Sequence, residues 1–247
     1  MAPALLWKHL LQPMVSLTKR SYKKELLDED DIPFADIKQN MKELNSINTL
    51  LGGHSITIKG IQLIINKNHS GPLTICEIGC GGGDNLKALA TWFGKKNIAS
   101  HFIGIDIKKE CIDFARQQYP DLNAGWITSD YSKVSFASTK PDIIFSSLFC
   151  HHFTEEQLIK MLQWMQRQCT KGFFINDLHR NTIAYHAIKW ITRIFSKSYL
   201  VKNDAPLSVA RGFTKKEWQN IFTSAGINNY TIQWKWAFRH LIIYKNE

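Results

Sequence analysis

Leu73-Thr74-Ile75-Cys76-Glu77-Ile78-Gly79-Cys80-Gly81-Gly82-Gly83-Asp84 is the stretch whose reading decides the fold. An apolar run carries an acid near its end, glycines crowd the next positions, and Asn85-Leu86-Lys87-Ala88-Leu89-Ala90 follows in largely helix-forming residues. The pattern predicts strand, tight turn, helix. Glycine lets the backbone turn sharply there and brings it closer to a ligand than a Cβ would allow. The spacing narrows the choice of ligand. Gly79, Gly81 and Gly83 form G-x-G-x-G, whereas the dinucleotide fingerprint requires glycine where Asp84 stands. A P-loop would end in Gly-Lys-Ser/Thr, which is absent. The turn therefore carries no pyrophosphate cradle, and Glu77 just before it favours a ligand with positive charge.

The next apolar runs also end in acids. His101-Phe102-Ile103-Gly104-Ile105-Asp106 predicts a second strand, whose terminal carboxylate can accept hydrogen bonds from both hydroxyls of a ribose. Trp126-Ile127-Thr128-Ser129-Asp130 predicts a third, with Asp130 where an adenine would lie. A sulfonium, an ammonium and no phosphate make S-adenosylmethionine the cofactor that suits these acids. On these residues the chain resembles the class I S-adenosylmethionine-dependent methyltransferases from about Ser55 to its C-terminus. The resemblance implies an α/β, Rossmann-like, doubly wound fold: a mainly parallel seven-stranded sheet, a C-terminal antiparallel hairpin and an N-terminal helical lid. It implies cofactor contacts at Glu77, Gly79, Cys80, Gly81, Asp106, Ile107, Asp130, Tyr131 and Ser146. A Rossmann-like domain with acidic strand ends and no cofactor is the competing reading.

The totals suit one α/β domain with additions: 247 residues, 44% apolar and 21% charged. The net charge of +10 is spread in short pairs such as Lys19-Arg20 and Lys95-Lys96, which describes a basic solvated surface better than a nucleic-acid site. Five cysteines without a C-x-x-C pair argue against a disulfide framework or a zinc site, so no metal is expected and a reducing cytoplasm is the expected location. Residues 1–24 carry no acid and read as a basic extension. Ala4 to Leu11 would form a short amphipathic helix stopped near Pro13, suited to peripheral membrane contact. No run approaches the ~18 apolar residues of a membrane span.

Residues 25–247 then read as the single methyltransferase domain, with 25–70 the lid and 181–212 a substrate-side insertion. After Leu27-Asp28-Glu29-Asp30-Asp31, a helical face runs through Phe34, Ile37, Met41, Leu44 and Ile47. Gly52-Gly53 ends that helix, and Ser55 is placed to cap the next, over 56–66. Strands are predicted near 73–78, 101–106, 124–128, 142–147 and 172–177, and helices near 84–93, 108–118 and 154–168. This βαβ rhythm predicts a parallel sheet, whose ligands lie beyond the strands' carboxyl ends.

The chemistry is therefore sought just after the strands. Leu148-Phe149-Cys150-His151-His152 resembles the Leu-His-His segment of ubiquinone- and menaquinone-type small-molecule methyltransferases. Asn176-Asp177-Leu178-His179-Arg180 follows the fifth strand, and its histidine is a candidate general base with Asp177 setting the tautomer. The candidate catalytic residues are His179, His152 and Asp177; the substrate-side candidates are Phe149, His151, Arg180, Tyr185 and Trp190. No Asp/Asn-Pro-Pro-Tyr/Phe, no Pro-Cys and no paired-glutamate loop appears, which disfavours DNA amino, 5-methylcytosine and protein arginine methylation.

In the insertion, Ile183, Ala187, Trp190, Ile191, Ile194 and Phe195 form an apolar stripe expected to cover the substrate. Ser196 to Arg211 reads as a loop, and Thr214-Lys215-Lys216-Glu217 as a capping box. Stretches 229–236 and 238–244 predict the closing hairpin. The expected reaction moves a methyl group to an oxygen or carbon of a small hydrophobic or aromatic acceptor, phenolic, polyketide- or quinone-like. Asn176-Asp177-Leu178-His179-Arg180 and Asn203-Asp204-Ala205 resemble segments of bacterial natural-product methyltransferases. An RNA or protein methyltransferase, or a non-catalytic S-adenosylmethionine-binding protein, are the alternatives.

Overall fold

A computed structural model describes residues 17–29, 31–65, 69, 71–136 and 139–246. Five strands run parallel: β1 (Leu73–Ile78), β2 (Ser100–Asp106), β3 (Ala124–Thr128), β4 (Ile143–Ser147) and β5 (Gly172–Leu178). Helices α1 (Phe34–Leu50) and α2 (Gly53–Ile64) precede them. Helices α3 (Asp84–Lys95), α4 (Lys109–Gln118) and α5 (Glu155–Gln168) make the crossovers β1–β2, β2–β3 and β4–β5. After α6 (Thr182–Phe195), α7 (Tyr199–Arg211) and α8 (Lys215–Ser224), the hairpin β6 (Tyr230–Lys235) and β7 (Arg239–Lys245) closes the sheet. β7 inserts antiparallel between β5 and β6, giving the order β3-β2-β1-β4-β5-β7-β6. The chain winds one way from β1 to β3 and the other way from β4, so a crevice opens between β1 and β4.

Parallel strands are covered on both faces, and their sequences are accordingly apolar runs rather than alternating ones. Trp164, Phe173, Trp218 and Phe222 fill the side beneath α5 and α8. Ile61, Leu86, Phe93 and Phe174 fill the side beneath α2 and α3, where Phe145 and Phe174 stack at 4.9 Å. Burial of each such side chain contributes about 1.5–3 kcal/mol. The predicted box at Thr214 forms: its hydroxyl accepts from Glu217 N–H, and Glu217 accepts from Thr214 N–H at 2.7 Å.

Three segments differ from the sequence expectation. α2 starts at Gly53, ahead of the predicted Ser55 cap, because Gly52 turns the chain at φ +74°. A Cβ on Gly53 would lie 1.7 Å from Asn48 Oδ1 and 2.4 Å from Arg239 Nη1, so this glycine lets α2 begin against a buried arginine. Residues 199–211 form α7 rather than a loop. The Ser198 hydroxyl caps it and a buried face of Leu200, Val201, Val209 and Ala210 holds it, despite Pro206 within.

The third difference is at the start. Residues 17–29, with 17–24 assigned by composition to the extension, run as a strap across the domain. Ser21 N–H donates to Ala210 O at 3.0 Å. The Arg20 guanidinium donates to Arg211 O (2.6 Å), His151 O (2.8 Å) and Phe153 O (2.8 Å), and lies 3.9 Å from the Phe213 ring centre. Asp204 of α7 accepts from Leu26 and Leu27 N–H at 2.8 and 2.9 Å, fixing a short 3-10 turn over Leu26–Asp28. The predicted helix Ala4 to Leu11 lies outside the described residues.

Removing Arg20 leaves the carbonyls of Arg211 and Phe153 without their side-chain donor, and His151 O with Arg211 alone. Arg20→Ala is therefore expected to lower unfolding free energy by about 2–4 kcal/mol in urea titration, and to expose Lys23 and Lys24 to trypsin.

Candidate active site

A cavity of about 890 Å³ opens over the carboxyl ends of β1, β2, β4 and β5. One end is built from the glycine turn and the acids after successive strands. Gly79 holds φ +67°, and a Cβ there would sit 2.3 Å from the Phe149 ring, so only glycine lets Phe149 close over the turn. The Asp106 carboxylate accepts from Gly81 N–H and Lys108 N–H, each at 2.9 Å, which leaves lone pairs facing the cavity. Burial raises its pKa despite those two bonds. Asp130 orders its own loop by accepting from Ser132 N–H at 2.9 Å.

Glu77 is the most constrained of these acids. It is buried; Oε1 accepts from Asn85 Nδ2 at 2.9 Å and Oε2 has no partner. Burial, reinforced by the charges of Asp84 and Asp106, pushes its pKa well above the carboxylate range. Among the described residues no cation forms an ion pair with Glu77 or Asp106. An acidic wall with an orphaned carboxylate oxygen and a side-chain-free turn fits a cationic adenosyl ligand such as S-adenosylmethionine.

The other end is closed by the strap and the residues after β4. His152 Nδ1 lies 3.1 Å from Asp28 Oδ1, and its Nε2 lies 3.7 Å from Glu25 Oε2. His151 is buried between two carboxylates: Nδ1 is 2.8 Å from Asp177 Oδ1 and Nε2 is 3.5 Å from Glu25 Oε1. Burial alone would lower the His151 pKa, but Asp177 and Glu25 outweigh it and raise it to about 9. Burial pushes both carboxylates up, and the imidazole more than offsets it, leaving each below its ordinary value. His151 is therefore an imidazolium at neutral pH, a positioning cation rather than a base. Glu25, His151 and His152 present ligand atoms within 4.8 Å of one another, a set able to close on a divalent cation. Binding there would have to displace the proton that already balances the two carboxylates.

Apolar residues, among them Met41, Leu44, Phe153, Leu178 and Ile188, wall the space between. Arg239 also lines it, 2% exposed, with Nη1 donating to Asn48 Oδ1 at 3.0 Å and Nε unpartnered. Burial lowers its pKa to about 10, so it stays charged.

The cavity thus gathers Glu77, Gly79, Cys80, Gly81, Asp106, Ile107, Asp130 and Tyr131 at one end, and Phe149, His151 and His152 at the other. Asp177 lies directly behind His151. Several sequence candidates stand elsewhere. Ser146 is buried with its hydroxyl 3.6 Å from Cys150 Sγ, and its neighbour Ser147 reaches the cavity instead. His179 does not line the cavity: its N–H bonds Phe238 O at 2.8 Å and it bridges to Phe213, which draws the ring against His240, 4.7 Å away. Burial lowers both rings' pKa, that of His240 to about 4, so the pair is neutral packing. Arg180 clamps Glu217 at 2.7 Å and binds the carbonyls of Gly212 and Leu17. Tyr185 and Trp190 also lie off the cavity wall, and Trp190 is turned to solvent.

Sequence reading missed Glu25, Asp28 and Arg239, which sit in an acidic run and at a strand start with no local motif. Tertiary contact alone brings them to the site.

Residues 75–172 match a sequence family described as a methyltransferase domain. A 74-residue stretch is 38% identical to the biotin biosynthesis bifunctional protein BioHC of Cellvibrio japonicus (strain Ueda107), covering 30% of this chain and 13% of that protein's length. Among solved structures, the plantazolicin methyltransferase BpumL in complex with SAH is similar at a TM-score of 0.63 and 17% identity, over 89% of this chain and 91% of that one. Human N-acetylserotonin methyltransferase in complex with SAM is similar at 0.62 and 13%, over 87% and 56%. At such identities these likenesses show the fold, that of the class I methyltransferases.

Two measurements check the electrostatics. His151 is protonated below its unfolded pKa of about 6.5 and more so when folded, so its stabilisation is complete there and fades as pH rises through about 9. Wild type should lose thermal stability across that window, and His151→Gln should flatten the slope. Glu77→Gln removes a carboxyl whose ionised form burial disfavours, so it is expected to stabilise the ligand-free protein by about 1–2 kcal/mol above the ordinary carboxylate pKa while weakening S-adenosylmethionine binding in calorimetry.

Proposed function

We propose that this chain, which carries a methyltransferase domain on a class I methyltransferase fold, methylates an oxygen or carbon of a small hydrophobic acceptor with S-adenosylmethionine. The observation that carries this reading is one cavity with an acidic, glycine-turned end and an apolar end closed by the His152–Asp28 pair. The solved structures of similar fold hold SAM or SAH, which supports the choice of cofactor.

When bound, S-adenosylmethionine supplies an electrophilic methyl group on a sulfonium that is already a good leaving group. The chain's work is then placement and proton handling. Asp106 would hold the ribose hydroxyls, Asp130 the adenine region, and Glu77 offsets positive charge beside the turn. Phe149, packed on Gly79, and the apolar wall hold the acceptor and exclude water. His152, oriented by Asp28, takes the proton released as an acceptor hydroxyl becomes methylated. The His151 imidazolium and its two carboxylates fix the loop that carries His152. Arg239, buried with an unpartnered Nε, is placed to receive an oxygen-rich or anionic group on the acceptor.

Calorimetry with S-adenosylmethionine comes first, because wild-type protein that fails to bind it would overturn the reading. Asp106→Ala is expected to abolish binding. His152→Ala should bind normally yet turn over about 10²–10⁴ times more slowly on whichever phenol or quinol of a panel the wild type methylates.

A further inference from the structure

Helix α6 turns its most apolar face outward, opposite to the substrate cover expected of it. Ala184 and Thr192 are buried and Ile188 lines the cavity, whereas Ile183, Trp190, Ile194 and Phe195 are 69%, 63%, 65% and 78% exposed. Ile183, Ala187, Trp190 and Ile194 recur at helical spacing and form one stripe along the exposed side. Lys189 and Arg193 flank it and Lys197 follows the helix. A contiguous patch of large apolar side chains of this kind marks a surface that something covers.

We propose that α6 lies in the plane of an anionic lipid surface, with Trp190 and Ile194 among the headgroups and Lys189 and Arg193 against lipid phosphates. Charge decides between the possible covers. α6 contains no acid, so a second copy seated on the same face would bring like charges together. Residues 1–16 contain Lys8 and His9 but no acid, so that segment has nothing to neutralise the flank either. Glu43, at the end of α6, is already engaged by the Ser196 hydroxyl and by Lys197 and Ser198 N–H. Anionic headgroups supply both the apolar bed and the missing negative charge, and the chain's net +10 adds long-range attraction. At 14 residues α6 is too short to span a bilayer, which needs about 20, so it lies on the surface. Ile188, on the opposite side of the same helix, then sets the acceptor end of the cavity beside the lipid.

The test is sedimentation of the full chain with vesicles of phosphatidylcholine and phosphatidylglycerol in equal parts, against phosphatidylcholine alone. Wild type should sediment with the anionic vesicles, release at high salt, and partition at least about tenfold less well as Trp190→Glu/Ile194→Glu. S-adenosylmethionine binding by the variant checks its fold. If that is lost, Lys189→Glu/Arg193→Glu replaces it and should lose anionic-vesicle binding. Failure of wild type to bind anionic vesicles, or equal binding by the folded variant, overturns the proposal. So does a wild-type dimer that the variant splits, since the face would then be a self-interface. Vesicle binding is read without methyl transfer, so its failure is distinct from failure of the proposed reaction.

Discussion

Glu25, His151 and Asp177 share a site that water scarcely reaches, and most of the acceptor end hangs from it. Burying a carboxylate is costly unless a cation and hydrogen bonds replace its hydration. Asp177 gains the imidazolium and the backbone N–H groups of His151 and Leu178; Glu25 gains the imidazolium and the Ser208 hydroxyl. Each partner comes from a different segment: the strap, the turn after β4, the end of β5 and α7. The ion cluster can therefore form only when all four are in place. Arg20 and Arg211 extend the same logic, both donating to His151 O. Arg211 also binds Lys23 O and lies 3.6 Å from Asp28.

The two ends of the cavity are built by different means. The cofactor end follows from chain-local geometry, because strand, glycine turn and helix are consecutive and parallel pairing brings the acids at the ends of β1 and β2 to one edge. The acceptor end is assembled from segments far apart in sequence and carries the apolar wall. Such a division suits a transferase whose cofactor is fixed and whose acceptor is particular to the enzyme.

Charge is divided in the same way. Acids gather where a sulfonium would be offset, while the buried guanidinium of Arg239 stands apart from any carboxylate ion pair among the described residues. Outside, α6 presents cations beside its apolar stripe. The acidic interior and the basic exterior are separate features: one lines the cavity, the other lies on the solvent side of the domain.

The sequence by itself determined the sheet, the crossover helices and the acids of the cofactor end. Those features are written in neighbouring residues: periodicity, glycine spacing and a carboxylate near the end of each of the first three strands. It also placed His152 beside the site, because that histidine lies in the short turn after β4. What it could not settle was direction and distant partnership. His179 has the same local credentials as His152, yet a backbone bridge to Phe213 draws it against His240. Arg180 chose Glu217, and Asp177 chose His151, through contacts that no spacing predicts. The stripe on α6 was legible as apolar, but periodicity fixes only which residues share a face. Which way that face points was decided by the packing of Ala184, Ile188 and Thr192 against the domain. Glu25 and Asp28 were invisible as site residues because only the strap, tied by Arg20 and Asp204, carries them over the cavity.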